Sequence, residues 1–92
     1  MIRSFEHKEL CRLWETGSIS GIQKSHAVKL RLILQRLNSA REVEDVNFHG
    51  ARLHPLKGAM KGLWSVTVNG NWRITFGFED GDAYVVDYLD YH

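Results

Sequence analysis

The pattern that most constrains this chain lies toward its C-terminal end. Leu63 to Asn69 alternates, with Trp64, Val66 and Val68 on one face and Ser65 and Thr67 on the other, as a half-buried strand does. Asn69-Gly70 follows, a dipeptide that tolerates the two positive φ angles of a type I′ hairpin turn. Trp72, Ile74, Phe76 and Phe78 then alternate with Arg73, Thr75 and Gly77, and Asp80-Gly81 supplies a second tight turn. The last strand, Ala83 to Leu89, sets Tyr84, Val86 and Tyr88 on one side. Two adjacent hairpins force an antiparallel meander, and its aromatic face needs cover.

That cover has to come from the first half. Ser4 is placed to cap a helix running to about Thr16, in which Leu10, Leu13 and Trp14 share a stripe and Gly17 marks the stop. Gln23 to Ala40 predicts a second helix with Leu30, Ile33, Leu34 and Leu37 on its apolar face. Ser39-Ala-Arg-Glu42 has capping-box spacing, which predicts a helical turn over Glu42 to Val46 before a loop from Asn47 to Gly50. Ile2 to Phe5 is a candidate short edge strand. The expected fold is therefore α+β, with two N-terminal helices packed on one face of a mostly antiparallel, twisted sheet whose other face stays open.

At 92 residues, with 43% hydrophobic and 25% charged residues and one Pro, the chain is expected to be one globular domain, residues 1–92. A lone cysteine, Cys11, excludes an intramolecular disulfide and reads as a packing residue in the first helix. No signal peptide or long apolar run is visible, so a cytoplasmic protein without membrane contact is expected. The net charge of +1 does not by itself announce a polyanion partner, so any nucleic-acid reading must rest on local residues. His7, His26 and His49 share no metal-ligand spacing, and there is no CxxC, P-loop, dinucleotide fingerprint or G-x-S-x-G elbow. No metal or cofactor is expected.

The informative residues are polar ones that the fold does not need. His54-Pro55-Leu56-Lys57-Gly58 brings an imidazole and an ammonium to the edge of the sheet, with the proline biasing His54 toward extended backbone. Arg73 stands mid-strand, and alternation puts it opposite the aromatic face. The terminal Asp90-Tyr91-His92 offers a carboxylate, a phenol and an imidazole in consecutive positions, all proton-transfer groups. Asn71 leaves the first hairpin, where the turn alone is a sufficient reason for Asn. Each of these also admits a plain reading as solvated surface.

Placed together on the open face, His54, Lys57, Arg73 and the Asp90-Tyr91-His92 end would suit metal-free RNA cleavage. A 2′-hydroxyl must lose a proton to attack the neighbouring phosphorus, and the departing 5′-oxygen must gain one. The transition state carries extra negative charge, which Arg can grip as a planar fork and Lys as a point charge. DNA lacks the attacking hydroxyl and should not be cut. Tyr91 could instead stack on a base.

These residues carry a resemblance. Arg52-Leu-His54-Pro-Leu-Lys57-Gly, Trp64-Ser-Val-Thr-Val, Asn71-Trp-Arg73-Ile-Thr-Phe, Gly81-Asp-Ala-Tyr84 and Asp90-Tyr91-His92 resemble the HigB toxins of the RelE superfamily, the plasmid-maintenance killer type. The resemblance spans nearly the whole chain and is densest from Arg52 onward. It implies a RelE-like, microbial-ribonuclease-like fold and a toxin that cuts mRNA in the ribosomal A site. The implied partners are mRNA, the ribosome and a helix-turn-helix HigA-like antitoxin, with DNA reached only through that antitoxin. By the same resemblance His54, Asp90, Tyr91 and His92 correspond to the catalytic residues, and Lys57, Asn71 and Arg73 to those contacting RNA. Two other readings stand beside it: a non-catalytic module that blocks the A site or holds a partner, and a co-repressor acting only with its antitoxin. Against the last as a sole role, the chain has no helix-turn-helix pattern of its own.

Overall fold

A computed structural model describes residues 1–90. The meander is present as β2 (Trp64–Asn69), β3 (Trp72–Glu79) and β4 (Asp82–Asp90), and a two-residue strand β1 (His54–Pro55) pairs with the outer edge of β2. The four strands run in the order β1-β2-β3-β4, and each neighbouring pair is antiparallel. Helices α1 (Lys8–Thr16) and α2 (Ala27–Ser39) supply the cover. Leu10 and Leu13 from the first, with Leu30, Ile33, Leu34 and Leu37 from the second, are fully or almost fully buried in one cluster with Val66, Ile74, Phe76 and Val86 of the sheet. Each such side chain contributes about 1.5–3 kcal/mol by leaving water, so this single contact layer dominates what holds helices to sheet.

Several local expectations change, each for a physical reason. Ser4 does not cap α1; its Oγ accepts from Val85 N–H at 2.9 Å and its carbonyl from Val86 N–H at 3.1 Å. Those bonds hold the N-terminal segment along β4, where Ile2 bridges Ala83 and Phe5 bridges Val86 in parallel orientation. The proposed edge strand is thus two isolated bridges, which still occupy an edge that would otherwise expose unpaired amides. With Ser4 committed there, the cap passes to His7, whose Nδ1 accepts from Leu10 N–H at 3.1 Å. Helix α1 ends as expected, on Gly17 at φ 80°.

Residues Lys24–His26 form a separate 3₁₀ turn, so α2 begins at Ala27 and not at Gln23. The capping box is also displaced from Ser39. A 3₁₀ turn over Val43–Val46 is capped reciprocally by Glu42 and Asp45, and Asp45 Oδ2 accepts from the N–H groups of both Arg41 and Glu42. Those two bonds hold the Asp45 carboxyl below its ordinary range.

Both hairpins exist, with the turn chemistry exchanged. A register shift between Thr67 and Asn69 pairs Asn69 with Trp72, so the first loop is Gly70-Asn71, with positive φ only at Gly70 (56°). Glycine at the first central position is the type II′ pattern. The two positive φ angles of a type I′ turn occur instead at Asp80 (51°) and Gly81 (79°).

Strand β4 departs most. Gly77 pairs with Tyr84 and Thr75 with Asp87, so Val85 and Val86 together oppose Phe76 in a β-bulge. Val85 adopts φ 46° to make it, a left-handed conformation that costs a β-branched residue about 1–2 kcal/mol. The bulge reverses the phase of alternation. Ala83, Val86 and Tyr88 face the core, while Tyr84, expected beside Val86 and Tyr88, is 39% exposed.

Candidate functional site

Residues paired across an antiparallel sheet share a face, so the register assigns the second face directly. One row across it is His54, Ser65, Thr75 and Asp87, and the next is Thr67, Arg73 and Leu89. His54 on β1 and Arg73 on β3 therefore stand on the same face, the one away from the helices. Two strand spacings and two residues separate them, which puts their Cα atoms about 12 Å apart. That gap suits a long guanidinium and an imidazole reaching toward one group from opposite sides. The floor between them is hydroxylic, with Ser65 and Thr75 buried. Among the described residues, Thr67 Oγ1 is buried with no hydrogen-bond partner, directly across the strand pair from Arg73. An unmet oxygen in that position costs about 1–3 kcal/mol and marks the floor as a place for a polar ligand or water.

The strand register also fixes what each side chain can offer. His54 is exposed, and its Nδ1 lies 2.9 Å from the carbonyl oxygen of Arg52. A carbonyl only accepts, so Nδ1 carries the hydrogen and the neutral ring keeps its lone pair on Nε2. Arg52 aims that carbonyl from a left-handed backbone at φ 51°, a conformation uncommon outside glycine. Arg73 donates from Nη1 to the carbonyls of Gly70 at 2.6 Å and Trp72 at 3.1 Å. These bonds brace the guanidinium against its own hairpin, and no described residue takes up Nε or Nη2.

Lys57 is exposed just before a 3₁₀ turn over Gly58–Met60, and it forms no ion pair among the described residues. Asn71 is exposed as the second residue of the first turn, at the Arg73 end of the sheet. Asp90 pairs with Trp72, which puts it on the helix-side face with Trp72 and Tyr88. The expectation that it shares the open face with His54 and Arg73 is not met: it directly follows Leu89, which is on that face, so strand alternation turns it to the other. It is nonetheless exposed at the end of β4 and makes interactions there. Tyr91 and His92 lie outside the described residues.

Beneath the open face is a polar group that the sequence reading passed over. His26, 4% exposed, lies with Nδ1 2.7 Å from the Tyr88 hydroxyl, and Tyr88 is also 4% exposed. Trp72 stacks on Tyr88 with ring centroids 4.6 Å apart and meets His26 edge-on at 5.7 Å. Burial pushes the Tyr88 phenol up, with a smaller opposing effect from the Gln23 backbone, so it is a neutral hydrogen-bonding group near pH 7. His26 stands four residues before Leu30 and seven before Ile33, in phase with the apolar stripe of α2, and that spacing is the sequence signal that could have marked it as buried. Cys11 is half-buried in α1. Burial, with Glu15 beside it, raises its thiol pKa, which disfavours the reactive thiolate and agrees with a packing role.

Among the described residues no helix is long and apolar enough to cross a membrane. In fold, the chain is similar to a solved structure of the conserved hypothetical protein HP0894 from Helicobacter pylori. The TM-score is 0.52 at 13% identity, covering 96% of this chain and 94% of that one. In sequence it is 47% identical over 92 residues, the full length of both chains, to a protein from Proteus vulgaris named Endoribonuclease HigB. A family model described as the RelE-like toxin of the type II toxin-antitoxin system HigB matches residues 3–92. With helices on one face of an antiparallel sheet and an imidazole and a guanidinium on the other, the chain belongs to the HigB family of RelE-like toxins.

Proposed function

We propose that this toxin is an endoribonuclease that cuts mRNA in the ribosomal A site without a metal, and thereby stops translation. The observation that carries the reading is the state of His54: Nδ1 donates to the Arg52 carbonyl, leaving a basic Nε2 on the face that also bears Arg73. His54 takes the proton from a 2′-hydroxyl as its oxygen bonds to the adjacent phosphorus. The Arg52 carbonyl stabilises the imidazolium that results. As the bond from phosphorus to the 5′-oxygen breaks, that oxygen receives a proton from Tyr91 or His92, which Asp90 precedes in the sequence. The products are a 2′,3′-cyclic phosphate and a free 5′-hydroxyl. Arg73 and Lys57 stabilise the charge building on the phosphoryl oxygens, and Asn71 contacts the RNA beside Arg73.

Membership of a type II toxin family supports an antitoxin partner, and the proposed partner is a HigA-like helix-turn-helix protein through which alone the toxin meets DNA. A cytoplasmic location follows from a substrate on the ribosome. The name of the Proteus vulgaris relative supports RNA cleavage.

The test is transcript cleavage in a reconstituted translation system with chelator present, comparing wild type with His54→Ala, Arg73→Ala and His92→Ala. Cleavage by wild type only during translation, falling by about 10²-fold or more in His54→Ala, is expected for loss of a general base. Intact transcripts with arrested translation would mean a toxin that blocks the A site without cutting. Undiminished cutting by the variants would remove these residues from the chemistry.

A further inference from the structure

The open face carries an aromatic residue that the chemistry above does not use. Strand alternation continued without interruption would bury Tyr84 with Val86 and Tyr88. The bulge at Val85, bought with a left-handed backbone at a β-branched residue, turns Tyr84 outward onto the face of His54 and Arg73. Strain held in a fold at one residue is a pointer to function when its structural effect is specific, and here the effect is the exposure of one ring.

What lies beside that ring matters as much. Tyr84 pairs with Gly77, which has no side chain. The atoms nearest to where a Gly77 Cβ would stand are Leu63 Cδ2 at 3.6 Å, the Tyr84 carbonyl oxygen at 3.8 Å and Tyr84 Cβ at 3.9 Å. The phenol ring therefore does not fold over Gly77, and a notch remains, floored by backbone and flanked by Leu63 and Tyr84. Leu56 closes the row on the other side, bonding its N–H to the Leu63 carbonyl at 2.9 Å. It is buried outside the main core cluster, and Lys57 follows it immediately. An apolar notch with an aromatic wall matches the face and edge of an unpaired base. The His54 and Tyr84 Cα atoms are about 16 Å apart by strand and residue spacing, too far for the scissile nucleotide itself.

We propose that Tyr84 and the Gly77 notch form a base-stacking subsite for an unpaired nucleotide flanking the scissile one, resting on the reading of this face as the RNA-cleaving face. Stacking on an aromatic ring is tolerant of base identity and sensitive to loss of the ring. The subsite therefore acts on substrate binding more than on proton transfer.

The experiment measures translation-coupled cleavage against ribosome–mRNA concentration for wild type, Tyr84→Ala, Tyr84→Phe, Gly77→Val and, as a control on the opposite side of the molecule, Val28→Ala. Melting curves check that each variant is folded. Tyr84→Ala is expected to raise KM about tenfold with a smaller effect on kcat. Tyr84→Phe should recover most of that loss, Gly77→Val should reproduce it by filling the notch, and Val28→Ala should match wild type. Cutting by wild type with KM unchanged in Tyr84→Ala would overturn the subsite while leaving the proposed activity standing. So would a loss confined to antitoxin binding, which would make this a protein-docking surface. Intact transcripts with the wild-type toxin would overturn both readings.

Discussion

Replacing Tyr88 by Phe removes one oxygen from beneath the candidate site and little else. The ring keeps its volume and its stack on Trp72 at 4.6 Å, so no cavity opens. What is lost is the hydroxyl that meets His26 Nδ1 at 2.7 Å, where both residues are 4% exposed. Water cannot replace the partner of a nitrogen so deeply covered, and leaving it unpaired costs about 1–3 kcal/mol. For a domain of this size each kcal/mol moves Tm by roughly 4–8 °C, so Tyr88→Phe should melt about 4–24 °C below wild type. Replacing both partners with apolar groups of similar shape comes close to neutral in general. The double variant His26→Phe with Tyr88→Phe should therefore melt above the sum of the two single losses. Thermal and urea unfolding of the four proteins gives the coupling directly. A Tyr88→Phe change below about 0.5 kcal/mol, or strict additivity in the cycle, would refute the claim that this pair is a satisfied buried hydrogen bond.

Other predictions follow from strain and titration. Val85→Gly should raise Tm slightly, because relief of a left-handed β-branched residue, about 1–2 kcal/mol, exceeds the entropy cost of glycine, about 0.5–1 kcal/mol; a lower Tm would show the bulge to be unstrained. The Asp45 carboxyl is held low by the Glu42 and Arg41 amides, so its contribution is present above the unfolded value of 3.8 and is lost as pH falls through the folded value. Asp45→Asn should then flatten the acid limb of a stability–pH curve, and an unchanged limb would contradict the capping geometry. The Tyr88 phenol is raised by burial, so stability should be level below the unfolded value of 10.0 and decline as pH rises above it. Tyr88→Phe should remove that alkaline decline, and its persistence would assign the decline to another group.

Much of the architecture was legible because periodicity is a local signal. The stripe of Leu30, Ile33, Leu34 and Leu37 and the alternation of Trp72, Ile74 and Phe76 each declare their buried face without reference to any partner. Alternation fails where the pattern is degenerate. Ala83-Tyr84-Val85-Val86 offers two equally apolar phases, and only the pairing with Gly77 and Thr75 chooses between them. Asn69-Gly70 misled in the same way, since a shifted register at Thr67 moves the loop by one residue. Ser4 shows the limit of capping rules, because its oxygen found Val85 N–H, a residue 81 positions away. In the candidate site, His54, Lys57, Asn71 and Arg73 stood out as polar residues the fold does not require. The groups that set their state did not. The Arg52 carbonyl acts through backbone geometry, Thr67 looks like any strand threonine, and His26 meets Tyr88 only in three dimensions.

The most direct test of the account places a single 2′-deoxynucleotide at the mapped cleavage position of a translated mRNA and reads the ends of the products. The account predicts a 2′,3′-cyclic phosphate and a 5′-hydroxyl on the all-ribose transcript, and no cut at the deoxy position. His54→Ala should cut the all-ribose transcript about 10²-fold or more slowly and the deoxy position not at all. Cleavage that continues at the deoxy position, or that is undiminished by loss of the His54 imidazole, would contradict it.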